Sequence, residues 1–509
     1  MMHTAAILSV LVAGAAALVP RPILSSRSAS ASAASLSIDT TSGQLHGFVN
    51  ATAAGTRQFL GVPYALPPVG ALRFKPPQKV YGNAPIDTVA FQPSCKQQTS
   101  NATTIYTAYE PQFLINGPDS EDCLYLNVYA PLHPDPTEVA GLPVFVYIPG
   151  GGFTGGGANS LYKIPDQWVN ATQAHIVVTI NYRLNIFGFP AARGQYQNLG
   201  LQDIRQAVEW TRDNAAGFGG DPSRITLWGQ SAGAMAVAYY AYGYYADPIV
   251  TGLIADSGAA GNLKAPNFDA FSTIAGQIGC GGLAAEDEIK CVQGVDAETL
   301  AQLVSTSSSV HFGPIADNIT MYADLEARIQ QGLVADVPLI NGNNDNEGAG
   351  FSPSSGQTQA TWEAGLNNII CPVSTEIALR TKYQLPTYRY YYAGNFSNIS
   401  PQPWIGASHS AELPLIFGTH WEYRGNSTEF EWQVSATLQE LWLSFARNAS
   451  AHPTASSFTW PVYDATSNTT LYVAADNKVT QLVNGSLVDS LCPNSTCPTC
   501  AYFNSIGFD

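Results

Sequence analysis

Gly229-Gln230-Ser231-Ala232-Gly233 sets a serine between two glycines, the pattern used to present an acyl-accepting nucleophile on a strand-to-helix turn. The glycines are required because that turn is too tight for side chains. Upstream stands Pro149-Gly150-Gly151-Gly152-Phe153. Attack on a carbonyl builds negative charge on its oxygen, and a glycine run lets backbone N–H groups come close enough to hold that charge. The expected donors are Gly151, Gly152 and the amide of Ala232. Ser231 needs a base, and His311, His409, His420 and His452 follow it in the chain. The order expected of this pattern is nucleophile, acid, base. His409 lies in Gly406-Ala407-Ser408-His409-Ser410, small residues able to carry the ring to a sheet edge. An acid must orient the histidine and stabilise its imidazolium. Asp345 and Glu347, in the stretch Asn341 to Gly348, both qualify by position.

These residues need a sheet to hold them. Val144–Ile148 and Ile176–Ile180 are short, β-branched apolar runs, as in strands covered on both faces. Gln202–Ala216 reads as an amphipathic helix, with Ile204, Val208, Thr211 and Ala215 on one stripe. Ile225–Trp228 is a further buried strand, and a helix is expected directly after Ser231. Val337–Ile340 and Tyr388–Tyr392 continue the strand pattern. The alternation implies an α/β chain with a large central, mostly parallel sheet and helices on both faces. The turn-rich first hundred residues suggest an antiparallel lead-in. Nothing marks a second domain, so residues 36–509 are expected to form one.

The chain has 509 residues, 38 acidic and 22 basic, with a formal charge of −16. No basic cluster offsets that charge, which excludes nucleic acid as a partner. The apolar run Ala5–Val19 is too short to span a bilayer and suits a signal peptide over residues 1–19. No stable membrane anchor is expected. Eight cysteines and sequons at Asn50, Asn101, Asn170, Asn318, Asn395, Asn398, Asn426, Asn448, Asn468, Asn484 and Asn494 fit a secreted, extracellular glycoprotein.

Taken together, these motifs resemble the type-B carboxylesterase/lipase family, which includes cholinesterases and fungal secreted lipases. The likeness runs through Phe59 to Ala65, Pro67 to Phe74, Glu121 to Asn127, the glycine loop, Asn181 to Leu184, Phe218 to Pro222 and the serine turn. It continues through Asp345 to Gly348, Gly406 to His409, Trp442, Phe445, Ala446 and Trp460-Pro461. The resemblance implies an α/β-hydrolase fold and makes Glu347 the acid, since the family places glutamate before this glycine. It implies a supporting role for Ser257 beside the acid and base, and structural ion pairs Arg73–Glu121 and Arg183–Asp203. It also implies disulfides Cys95–Cys123 and Cys280–Cys291, with Cys371–Cys500 and Cys492–Cys497 as the remaining pairs.

Two departures bear on substrate. Gln230 stands where the family often has glutamate, removing a charge beside the acyl site. Residues 96–122 lack the tryptophan with which cholinesterase-like members bind cations. The same loop offers Ile105, Tyr106, Tyr109, Phe113 and Leu114 as lining and resembles a lipase lid, interrupted by Pro111. Tyr239, Tyr240, Tyr242, Tyr244 and Tyr245 are expected to be ordinary aromatic packing, with the lining of an acyl pocket as the alternative. The expected activity is a secreted serine ester hydrolase acting through an acyl-enzyme on uncharged short- to medium-chain or aryl esters, without metal or organic cofactor. The alternatives are a lipase for long-chain acylglycerols or sterol esters, and a catalytically silent binding protein.

Overall fold

Eleven strands form one twisted sheet. The computed structural model describes residues 34–492 apart from Asn101, residues 262–267, Ser308 and Ser457. The expected signal peptide at 1–19, Asn494, Cys497 and Cys500 lie outside the described residues. In space the strands run Lys478–Asn484, Asn468–Ala475, Thr387–Tyr392, Leu339–Asn344, Gly252–Asp256, Gly220–Gln230, Leu142–Ile148, Ile176–Ile180, Tyr125–Pro131, Thr56–Pro63 and Phe48–Val49.

The seven from Asn468–Ala475 to Ile176–Ile180 pair in parallel. The outer ones pair antiparallel. The sheet is therefore mixed, more so than the sequence pattern suggests. One reason is local. Asp476 and Asn477 both take positive φ, 53° and 58°, and so close a two-residue hairpin that returns the last strand antiparallel.

The middle strands are apolar throughout because both faces are covered. On Leu142–Ile148, Val144, Val146 and Ile148 enter one core, which the helices Leu199–Asn214 and Ala232–Gly243 cover. Phe145 and Tyr147 enter the other, under Val434, Leu438, Leu441 and Phe445 of the helix Glu429–Arg447. Tyr239, Tyr240 and Tyr242 are buried in the first core as packing. The described residues form one compact unit.

Cross-links and ion pairs tie the loops down. Cys95–Cys123 and Cys280–Cys291 are formed. Cys371 pairs with Cys492, not Cys500, which also rules out Cys492–Cys497. Cys371 opens the helix Cys371–Lys382 and packs with Trp362, Leu366, Ile370, Tyr391 and Val488. The short helix Ser486–Asp489 brings Cys492 into that cluster, with Cα atoms 5.5 Å apart. Spacing in the sequence cannot register this meeting of two distant segments. A non-reduced peptide map should recover Cys371 joined to Cys492; a Cys371 peptide joined to Cys500 would refute the pairing. Arg183 grips Asp203 through two side-chain bonds of 2.8 and 2.7 Å, and Arg73 pairs with Glu121.

Among the described sequons, Asn50, Asn318, Asn395, Asn426, Asn448 and Asn468 are exposed, and Asn170 and Asn484 are half-buried. Asn398 is buried, at 9% exposure. Its amide nitrogen faces His420 O, Ser427 Oγ and Glu431 Oε1 at 2.8, 3.1 and 2.9 Å, so it is committed to the interior and not available to a glycan.

Candidate active site

The serine turn is built by close packing. A Cβ on Gly229 would sit 2.3 Å from Gly233 O, and one on Gly233 would sit 2.1 Å from Ile148 O. Glycine at both places lets Gly220–Gln230 pass into Ala232–Gly243 within a single residue. Ser231 is that residue, with φ 59° and ψ −122°, a region side-chain-bearing residues seldom occupy. Its N–H donates to Asp256 O at 2.8 Å, which anchors the turn on the neighbouring strand.

The glycine loop leaves the next strand on the other side. Gly151 and Gly152 have φ of 130° and 65°, and both are exposed. A Cβ on Gly150 would lie 2.8 Å from Ser231 Cβ, so the loop runs directly over the serine. Gln97, from the Cys95–Cys123 loop, clamps it: Gly156 N–H donates to Gln97 Oε1 at 2.8 Å, and Gln97 Nε2 donates to Gly156 O at 3.1 Å. No local pattern marks Gln97, because the contact exists only once the disulfide loop is laid down.

His409 Nδ1 lies 2.5 Å from Glu347 Oε2. The other carboxylate oxygen accepts the Ser257 hydroxyl at 2.6 Å and the Asn344 N–H at 2.7 Å. Asp345 is turned elsewhere, accepting the Tyr391 hydroxyl at 2.6 Å. Of the two carboxylates open at the sequence level, Glu347 is the one that meets the histidine. His420 and His452 pair with Ser427 and Tyr388 instead. With Nδ1 on the carboxylate, His409 Nε2 faces the serine turn, where the Gln230 amide nitrogen lies 3.2 Å away. Tyr106, in the disulfide loop, donates its hydroxyl to His409 O at 2.9 Å, and the Phe351 ring stands 5.4 Å from the imidazole.

Behind Glu347 lie two more buried carboxylates. Asp256 accepts the Trp228 indole N–H at 2.5 Å and the Tyr390 hydroxyl at 3.1 Å. Burial, opposed by those bonds and reinforced by nearby Glu347, pushes it up to about 7. Glu412 is driven well above the ordinary carboxylate range, first by burial and then by Asp256 and Glu347.

The Cys95–Cys123 loop is short and pinned. It holds one turn of helix, Ile105–Ala108, and a 3₁₀ turn, Pro111–Phe113. Tyr109 donates to Ser354 O at 3.0 Å, beside the Tyr106 bond. Glu110 sits between the two turns, 0% exposed, with neither carboxylate oxygen hydrogen-bonded among the described residues. Burial pushes its carboxyl up to about 8 against the pull of Arg424.

A carboxyl raised by folding favours the native state most where it is protonated in both states. As pH climbs past its ordinary value, the unfolded chain loses the proton first, and that stability drains away until pH passes about 8. Glutamine stays neutral. Glu110→Gln should therefore gain thermal stability on the wild type as pH rises from about 5 to about 8, then hold a constant margin. Parallel melting curves across this range measure it; a margin independent of pH would show that Glu110 is not buried as a neutral acid.

A mixed sheet with a strand–serine–helix turn, a glycine loop over it and a histidine–glutamate pair at its rim is the α/β-hydrolase arrangement. The chain belongs to the carboxylesterase family, whose model, described as "Carboxylesterase family", matches residues 34–369 and 364–489. It is a carboxylic-ester hydrolase, and its substrate is a small-molecule ester. It is 48% identical to chlorogenic acid esterase of Aspergillus niger over 480 residues, covering 90% of this chain and 94% of that protein. It is 38% identical to secreted lipase 5 of Gibberella zeae, covering 91% and 94% of the two chains. With para-nitrobenzyl esterase of Bacillus subtilis it shares 31% identity over 84% of this chain and 93% of that one. Among the described residues no helix is long and apolar enough to cross a membrane, and no group of three or more His, Cys, Asp or Glu is placed to hold a metal.

Proposed function

We propose that the chain is a secreted serine esterase in which Ser231 attacks the ester carbonyl and His409 takes its proton. The observation that supports this reading is the 2.5 Å contact between His409 Nδ1 and Glu347, which leaves Nε2 at the serine turn, 3.2 Å from the Gln230 amide nitrogen. The N–H groups of Gly151, Gly152 and Ala232 receive the developing oxyanion, each worth about 3–4 kcal/mol of barrier. His409 then protonates the leaving alcohol, and water, activated by the same ring, releases the acid from the acyl-enzyme. Glu347 fixes the ring's tautomer, and Ser257 with Asn344 N–H holds Glu347.

The substrates are uncharged short- to medium-chain or aryl esters, with aryl acyl groups favoured. Tyr106, Phe113 and Phe351 supply aromatic surface at or near His409, and the chlorogenic acid esterase similarity supports an aryl acid. Secretion is supported by three disulfides, which persist in oxidising compartments.

Initial rates on p-nitrophenyl esters from acetyl to palmitoyl, beside a hydroxycinnamoyl ester, test the substrate class. The expected result is turnover of acetyl to octanoyl and of the aryl ester, with palmitoyl slowest. A maximum at palmitoyl that needs an emulsion would make the protein a lipase instead.

A further inference from the structure

The turn after the helix Leu413–Phe417 carries an aromatic surface that the ester chemistry does not use. Trp421, Tyr423 and Trp432 are 39%, 36% and 44% exposed. The rings of Trp421 and Trp432 lie 6.1 Å apart and 33° from parallel. Tyr423 is backed by Tyr162 at 5.6 Å. Large exposed aromatics gathered in one place mark a surface that something covers.

The covering group is indicated by the chain itself. Asn426-Ser427-Thr428 is a sequon inside this surface, and Asn426 is exposed. Tyr423 precedes it by three residues across a turn in which Gly425 has φ 115°. Trp432 follows in the first turn of Glu429–Arg447, its N–H donating to Thr428 O at 3.0 Å. The turn is held from below: Ser427 Oγ lies 2.6 Å from His420 Nδ1, and the buried Asn398 reaches both Ser427 and His420. Asn426 therefore lies on an ordered turn with the three aromatic residues within six positions of it in the chain, so little order has to be gained on contact.

We infer that Asn426 carries an N-linked glycan whose first N-acetylglucosamine residues lie against Trp421, Tyr423 and Trp432. The C–H face of a pyranose is apolar and matches an aromatic face, while its hydroxyls stay in water. The covalent tether gives the contact a high effective concentration. In the transfer, Asn426 Nδ2 bonds to the sugar C1 as the C1–O bond to a lipid diphosphate carrier breaks; the amide loses one proton and the diphosphate departs. This happens on entry to the secretory route, so the inference rests on the reading of the chain as secreted. Asn398, whose nitrogen is spent on the same turn, stays bare.

The full chain, secreted from a eukaryotic host, provides the test. Peptide mass mapping should find sugar on Asn426 and none on Asn398. Acrylamide quenching of tryptophan fluorescence reads the contact directly, because Trp421 and Trp432 are the exposed indoles among the described residues. An endoglycosidase that leaves only the first N-acetylglucosamine should raise quenching part of the way towards the Asn426→Gln value. Asn426→Gln, an exposed substitution that leaves the fold intact, should raise the quenching constant about twofold as both indoles lose cover. Asn426 bare while other exposed sequons carry sugar overturns the inference alone. Every sequon bare overturns secretion with it. Quenching that is unchanged in Asn426→Gln overturns the sugar contact, and quenching that depends on protein concentration assigns the surface to a second copy of the chain.

Discussion

Ser231→Ala is expected to lower kcat on p-nitrophenyl acetate by about a million-fold, to the level that binding and oxyanion stabilisation alone sustain. The substitution removes one oxygen atom and leaves the turn as it is. The N–H to Asp256 O bond is backbone, and the glycines that make the turn possible, Gly229 and Gly233, are untouched. Alanine at φ 59° carries the same Cβ strain as serine, so the melting temperature should stay close to that of the wild type. Loss of turnover without loss of fold is the signature of a nucleophile. If the variant retained more than about a tenth of the wild-type rate, another group would be attacking the ester. A catalytically silent protein would instead show equal slow rates for both chains.

Much of this site could be read from the sequence because its parts are local. The serine turn and the glycine loop are each five residues whose geometry follows from having no Cβ at fixed places. The strand Ile176–Ile180 is legible because burial on both faces leaves an unbroken apolar run, and Tyr388–Tyr392 is legible within Thr387–Tyr392 from its tyrosines. What could not be read depends on segments far apart in the chain. Val337–Ile340 was expected as the strand before the acid, yet the strand is Leu339–Asn344, because asparagines there are buried and paired in the sheet. That shift delivers Asn344 N–H to Glu347. Gln97 on the glycine loop, Tyr106 on His409 O, and the Cys371–Cys492 cross-link likewise arise from tertiary contacts with no local pattern. Asp256 sits one residue before Ser257 and looks like an ordinary strand end; only burial beside Glu347 gives it its raised affinity for a proton.

Glu347→Gln tests the arrangement more sharply than removal of the carboxylate, because the pocket dictates which way the amide turns. In the wild type, Oε1 accepts from both the Ser257 hydroxyl and the Asn344 N–H, while Oε2 meets His409 Nδ1. A glutamine must place its carbonyl oxygen against those two donors, since its NH₂ there would leave both without an acceptor in a buried site. The NH₂ then points at His409 Nδ1 and donates to it. The ring is forced to carry its hydrogen on Nε2, the atom that has to receive the proton from Ser231. The neutral imidazole is held in the tautomer that cannot act as a base, and the imidazolium loses its counter-charge. A fall in kcat on the order of 10⁴ is expected, with KM little changed because the glutamate touches no substrate. Ser257→Ala separates orientation from charge: it leaves the carboxylate on the ring and removes one of its two supports, so its loss should be about tenfold. If Glu347→Gln and Ser257→Ala fell by the same small factor, Glu347 would be a packing residue, and the acid would have to be sought in Asp345 after all.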